Sequence, residues 1–245
     1  ERNNSLGKVL NDALLLQYEL KLLVKLGNCL SSPALIRQLA PELQTTLQQI
    51  YQQKQQQLPA VLANMLSRDQ TLRQQLSGSQ RGIAADQSGL AESIQALKQL
   101  NLLQRHIVKQ DYLAASQIHI INAIGALHQS QLVADLQHSL RLSQQFFAEL
   151  NALLTQIPQK ELCQADNTVR ENLLSQIFIG RVQADLARVD GIATALVVEL
   201  LQLYQQHPLQ LTVQQRLQVP QLQLQQHLRE HVAFWQRWRQ CDAPR

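Results

Sequence analysis

The sequence predicts an all-α protein, an antiparallel bundle of about six or seven helices, several of them long. Three observations carry that expectation. Leu and Gln, both good helix formers, make up more than a third of the 245 residues. Eight Gly and seven Pro supply too little turn material for a chain of many hairpins. Apolar residues recur at helical spacing, and few windows alternate with a period of two. At this length a chain buries a sizeable core, and the bundle is expected as one domain over residues 1–245.

The elements follow in order. From Ser5 to Leu26 the stripe Leu6, Leu10, Leu14, Leu20 and Val24 predicts the first helix, capped by Asn3, Asn4 or Ser5 and stopped at Gly27-Asn28. Ser31-Ser32-Pro33 opens a second segment, striped by Leu35, Leu39, Leu43, Leu47 and Ile50, which Pro59 should kink or restart. Three of the eight glycines (Gly78, Gly82 and Gly89) fall between residues 77 and 89, predicting a flexible loop with Arg81 at its tip. Helical spacing then runs from Asp86 to Gly125, with a disturbance at Asp111-Tyr112. Ser130 caps a helix to about Ile157, which Pro158 ends. A long segment starts near Asn167, carries Leu173, Ile177, Val182, Leu186, Val189, Ala193, Val197 and Leu200, and stops at His207-Pro208. The last helix begins near Thr212 or after Pro220 and ends near Cys241. Short connections between long helices favour antiparallel neighbours.

Charge excludes strong electrostatic specialisation. The 22 basic and 18 acidic residues give a net charge of +4. They are spread along the chain, whereas phosphate-tracking proteins cluster Lys and Arg on one face. Gln runs interrupted by Leu read as solvated helix faces rather than prion-like tracts. Cys29, Cys163 and Cys241 are too widely spaced for a zinc site. They could furnish a disulfide in an oxidising compartment, with the pairing left open and at least one thiol over unless a further Cys exists. No apolar run reaches the roughly 18 residues of a transmembrane helix.

Two patterns near the C-terminus bear on chemistry. His227-Leu228-Arg229-Glu230-His231 fits H-x-x-E-H, in which two imidazoles on one helix face hold zinc and the Glu acts as base. A third ligand is wanting, since Asp242 is the sole acid after His231, so no metal or other cofactor is expected; the bland reading is a polar helix face with two exposed imidazoles. The same helix carries Arg229, Phe234, Trp235, Arg237, Trp238 and Arg239, with both tryptophans of the chain three residues apart. Arg229, Trp235, Trp238 and Arg239 are therefore candidates for a contact surface toward headgroups, a protein partner or, as an alternative, nucleic acid. The competing reading has Phe234 and Trp238 closing the end of the bundle. No nucleophile elbow, Cys-His pair or phosphate loop supports an enzyme.

The opening Glu1-Arg2-Asn3-Asn4-Ser5-Leu6-Gly7-Lys8-Val9, followed by Leu16-Gln17-Tyr18-Glu19-Leu20 and Cys29, is the most specific pattern present. It resembles an uncharacterised bacterial lipoprotein family, the domain of unknown function 3080, around its E-R-N-S-x-L-G-K/R-V block and a Y-E-L/H helix ending near a Cys. The resemblance implies a signal and an acylated Cys upstream of Glu1, a membrane anchor, and a periplasmic location where disulfides persist. It supplies no activity and hence no catalytic residue. Arg2, Asn3, Tyr18 and Glu19 are candidates for a polar contact patch, with hydrogen bonds across helices from Tyr18 and Glu19. The resulting expectation is a non-enzymatic envelope domain that scaffolds or binds a protein or envelope component.

Overall fold

The computed structural model describes residues 11–164 and 166–242, and among them every regular element is helical. The helices are α1 (Asp12–Leu30), α2 (Pro33–Ile36), α3 (Pro41–Arg68), α4 (Gln70–Ser77), α5 (Leu90–Val108), α6 (Tyr112–Ser116), α7 (Ile120–Ser130), α8 (Leu132–Thr155), α9 (Gln159–Leu162), α10 (Asn167–Asn172), α11 (Ala184–Leu203), α12 (Gln210–Val213) and α13 (Val219–Arg239). A π-helix, Leu173–Gln183, joins α10 to α11 in one continuous rod. A shorter π-turn, Gln214–Gln218, joins α12 to α13. It lies just before Pro220, which has no N–H to give to the preceding turn, so a widened winding is the expected accommodation. None of the helices among the described residues is long and apolar enough to cross a membrane.

Cross-helix contacts fix the antiparallel arrangement. Lys54 of α3 reaches Glu19 of α1 at 2.7 Å, while Tyr51 lies against Gly27, so the pair runs in opposite senses. Asn151 of α8 bonds the His227 carbonyl of α13 at 2.8 Å, and Phe147 meets His231 one turn further on. Gln221 and Gln225 of α13 donate to Thr194 and Asp190 of α11 at 3.1 and 2.8 Å. A continuous core draws on these helices, from Leu16, Leu20 and Leu23 through Leu97, Leu100 and Leu136 to Leu196, Leu203 and Leu224.

Three local expectations are corrected, and a fourth falls outside the described residues. The first described helix is capped by Asn11, whose side chain accepts from the Leu14 N–H at 3.0 Å. The caps expected at Asn3, Asn4 or Ser5 lie outside the described residues. Gly27 does not stop α1, which runs on to Leu30: there glycine serves close packing, since a Cβ would stand 3.4 Å from the Tyr51 hydroxyl. Pro59 lies on the exposed side of α3 and leaves the helix unbroken, the core anchors Leu58, Leu62, Met65 and Leu66 holding the turns around it. The forty-residue helical run from Asp86 divides into α5, α6 and α7, and Gln110, at φ 57°, makes the first break beside the expected Asp111-Tyr112.

Of the 77–89 segment, expected as a flexible loop, Ser77 ends α4 and residues 78–89 are irregular but fastened to the bundle. Ser79 donates to Asp135 at 2.6 Å, Arg81 to Gln131 at 2.8 Å, and the Ile83 N–H to Ser139 at 3.0 Å. Arg188 of α11 donates to the Ala84 carbonyl at 2.6 Å. Its tip arginine is thus engaged, and Ile83 is buried.

Candidate functional site

All four Phe and both Trp of the chain gather where α8, α13 and the π-helix meet. The pattern on α13 explains half of this: His231, Phe234, Trp235 and Trp238 fall on one face at spacings of three and four. The adjacent Phe146 and Phe147 of α8, and Phe178 of the π-helix, provide the rest. Phe147 stands edge-on to His231 at 5.2 Å, and Phe178 lies 4.7 Å from the same imidazole. Trp235 and Trp238 stack on each other at 5.3 Å with planes 13° apart. Phe234 and Trp238 are buried, with Leu162 of α9 packed against them.

A directed hydrogen-bond chain organises this end. The Asn151 Nδ2 donates to the His227 carbonyl at 2.8 Å. The His231 Nε2 accepts from the Trp235 indole N–H at 2.9 Å, which leaves the proton on Nδ1 to be donated to the Asn151 Oδ1 at 3.2 Å. Burial holds the His231 pKa below its usual value, favouring this neutral tautomer. His227 turns instead to Glu230, at 3.1 Å. Hydrogen bonds from Gln226, and then His227, hold the Glu230 carboxyl below the usual range.

The two imidazoles of the H-x-x-E-H pattern therefore serve separate partners. His231 is 3% exposed, contrary to a face carrying two exposed imidazoles. Among the described residues no cluster of three or more His, Cys, Asp or Glu is placed to hold a metal ion.

A disulfide seals the same end. Cys163, just after α9, is bonded to Cys241, just after α13, with Cα atoms 5.2 Å apart. Cys29 is left as a half-buried free thiol on the last turn of α1.

Two cavities open beside the aromatic cluster, one on each side of Phe178 and Trp235. The first, about 380 Å³, lies between α8 and the π-helix and is walled by Phe146, Phe147, Leu154, Ile177, Val182 and Trp238 among others. Its one polar side chain, His231, has both ring nitrogens engaged. The second, about 430 Å³, lies between α13 and the π-helix with the start of α11. Leu174, Ile179, Leu186, Leu228 and Val232 form its apolar walls, while Gln183, Asp190, Gln236 and Arg239 bring polar groups to it. The π-helix between them has no buried residue; Leu174, Phe178 and Val182 are its half-buried contacts. Gly180 suits its winding, since a Cβ there would come within 3.1 Å of the Ser175 carbonyl.

The sequence-predicted surface is divided by this arrangement. Arg229 and Arg239 are exposed and Trp235 half-buried, but Trp238 belongs to the interior, so the four do not form one contact face. At the other end, Glu19 is buried and does bond across helices, to Lys54, whereas Tyr18 is 60% exposed and points away. Arg2 and Asn3 lie outside the described residues. Sequence reasoning missed Phe146, Phe147, Phe178 and the π-helix. The signal available was that every Phe lies within segments flanking the two cysteines or on the Trp-bearing helix.

No curated protein and no solved structure matches this chain. A family match does extend over almost its whole length, residues 1–244, and the chain accordingly belongs to the family described as Protein of unknown function (DUF3080).

Proposed function

We propose that this domain is a non-catalytic binding module of the bacterial cell envelope, and that it holds hydrocarbon in the aromatic cleft. The observation that carries the reading is the cavity of about 380 Å³ whose walls are apolar apart from a fully hydrogen-bonded histidine. Its size falls within the roughly 300–1,000 Å³ of small-molecule sites. It has nothing to offer a polar substrate, and its lining side chains Phe146 and Ile177 are themselves exposed at the mouth. Two observations support the compartment. The N-terminal block resembles that of lipoproteins anchored facing the periplasm, and a disulfide across the C-terminal end suits an oxidising environment.

Titration with an uncharged naphthylamine dye, followed by dye fluorescence and quenching of Trp emission, tests the cleft. Saturable binding is expected. Ile177→Asp sets a carboxylate at the rim of the cavity, on a side chain already half exposed, and should weaken binding about tenfold with circular dichroism unchanged. Absence of saturable binding, or full binding by that variant, overturns the reading. Protease accessibility of the full-length protein in spheroplasts tests the compartment: degradation without lysis is expected, and protection until lysis overturns it.

A further inference from the structure

The two cavities share Phe178 and Trp235, whose rings lie 6.1 Å apart and divide one apolar space into two arms. Only the second arm brings a cation, Arg239. Along α13 its lining runs from Leu228 through Val232 and Trp235 to Arg239, so the groove follows the helix for about 16 Å at 1.5 Å per residue. Arg239 stands one turn beyond Trp235, a residue that lines both cavities. It is exposed and makes no hydrogen bond or ion pair among the described residues. The one acid of the groove, Asp190, is taken up by Gln225 at 2.8 Å. That contact lies fourteen residues back along α13, about 21 Å from Arg239 by helical rise, too far to neutralise it.

Two hydrocarbon arms that share Trp235, one turn from a guanidinium with no partner among the described residues, match a particular chemistry. On the reading that the cleft holds hydrocarbon, we propose that its ligand is an anionic lipid with two chains. One chain occupies each arm, astride the Phe178–Trp235 partition, and the headgroup anion sits on Arg239. A guanidinium offers paired donors to a phosphate or carboxylate alike, so the anion is defined by charge. The two arms define the number of chains.

Native mass spectrometry with lipids below their micelle-forming concentrations tests this. One short-chain phosphatidylglycerol should bind per protein, at least about tenfold tighter than the diacylglycerol of equal chain length. A dialkyl carboxylate should show the same preference over its methyl ester if charge alone is read, and a preference confined to the phosphate narrows the headgroup without removing the anion site. Arg239→Gln should abolish the advantage of the charged lipids while leaving diacylglycerol binding unchanged; Arg181→Gln, on the exposed side of the π-helix, should alter neither. Val232→Trp fills the second arm from a position already 44% exposed. It should remove the advantage of two chains over one and leave the naphthylamine dye in the first arm. Equal affinity for charged and uncharged lipids, or no effect of Arg239→Gln, overturns the anion site. Unchanged two-chain binding by Val232→Trp overturns the two-arm assignment. Failure of the dye itself to bind tells against the hydrocarbon cleft on which both rest.

Discussion

His231 sits where a titration becomes a stability signal. The unfolded imidazole takes up its proton near pH 6.5, whereas burial lowers the folded value. Protonation also puts a second N–H against the Trp235 indole donor, 2.9 Å away. Between those two pKa values the unfolded state binds more protons, so the contribution of neutral His231 is complete above about pH 6.5 and is lost as pH falls toward the folded pKa. Urea midpoints measured from pH 7.5 to 5 should fall more steeply for the wild type than for His231→Phe; parallel curves would refute the assignment. Two glycines give opposite expectations. Gly89 has φ +80°, and a Cβ there would lie 2.6 Å from the Ser130 Cβ, so Gly89→Ala should cost about 2 kcal/mol or more in urea denaturation. Gly191, inside α11 with open space around its Cα, should tolerate Ala and gain about 0.5–1 kcal/mol. Sequence reading caught Gly78 and Gly89 as loop residues but read Gly27 as a stop. Close packing against Tyr51 depends on a partner more than twenty positions away, which local spacing does not reveal.

At the scale of elements, the long helices were legible because Leu stripes continue for several turns. The 167–207 segment and the helix ending near Cys241 were both readable in this way. The winding inside them was not. Residues 173–183 keep apolar residues at Leu173, Leu174, Ile177, Phe178 and Ile179, a pattern equally compatible with α-helical and π-helical turns. Nor did spacing reveal that α9 and the tail of α13 are covalently joined. The Cys163–Cys241 bridge encloses a separation of 78 residues, for which loop-closure entropy predicts about 4.5 kcal/mol, while typical measured values are about 2–4. A Cys163→Ser, Cys241→Ser double variant should lose about that much stability. Since Leu162 packs against Phe234 and Trp238 beside the bridge, it should also bind the naphthylamine dye with altered affinity. A stability equal to the wild type would show that the bridge is dispensable to the fold.

For the whole molecule, one core cluster runs from Ala13 on α1 to Leu224 on α13, and a much smaller one holds Leu162, Phe234 and Trp238. Calorimetry should therefore show a single endotherm, with calorimetric and van't Hoff enthalpies in agreement; two separated transitions would mean that the chain divides into independent units. The Leu and Gln bias that announces helices also describes the candidate site by contrast. Where Leu and Gln give way to Phe, Trp and Arg, the bundle has cavities and an exposed cation in place of a closed core and a neutral face. The bridge from Cys163 to Cys241 has a topological consequence as well. It makes α10, α11, α12, α13 and both π-helical stretches parts of one closed covalent ring, attached to the remainder of the fold through residue 163. A protease that cuts once within the exposed π-helix, at Arg181 for example, opens that ring without severing the chain into two molecules, and the fragments part only when the bridge is reduced.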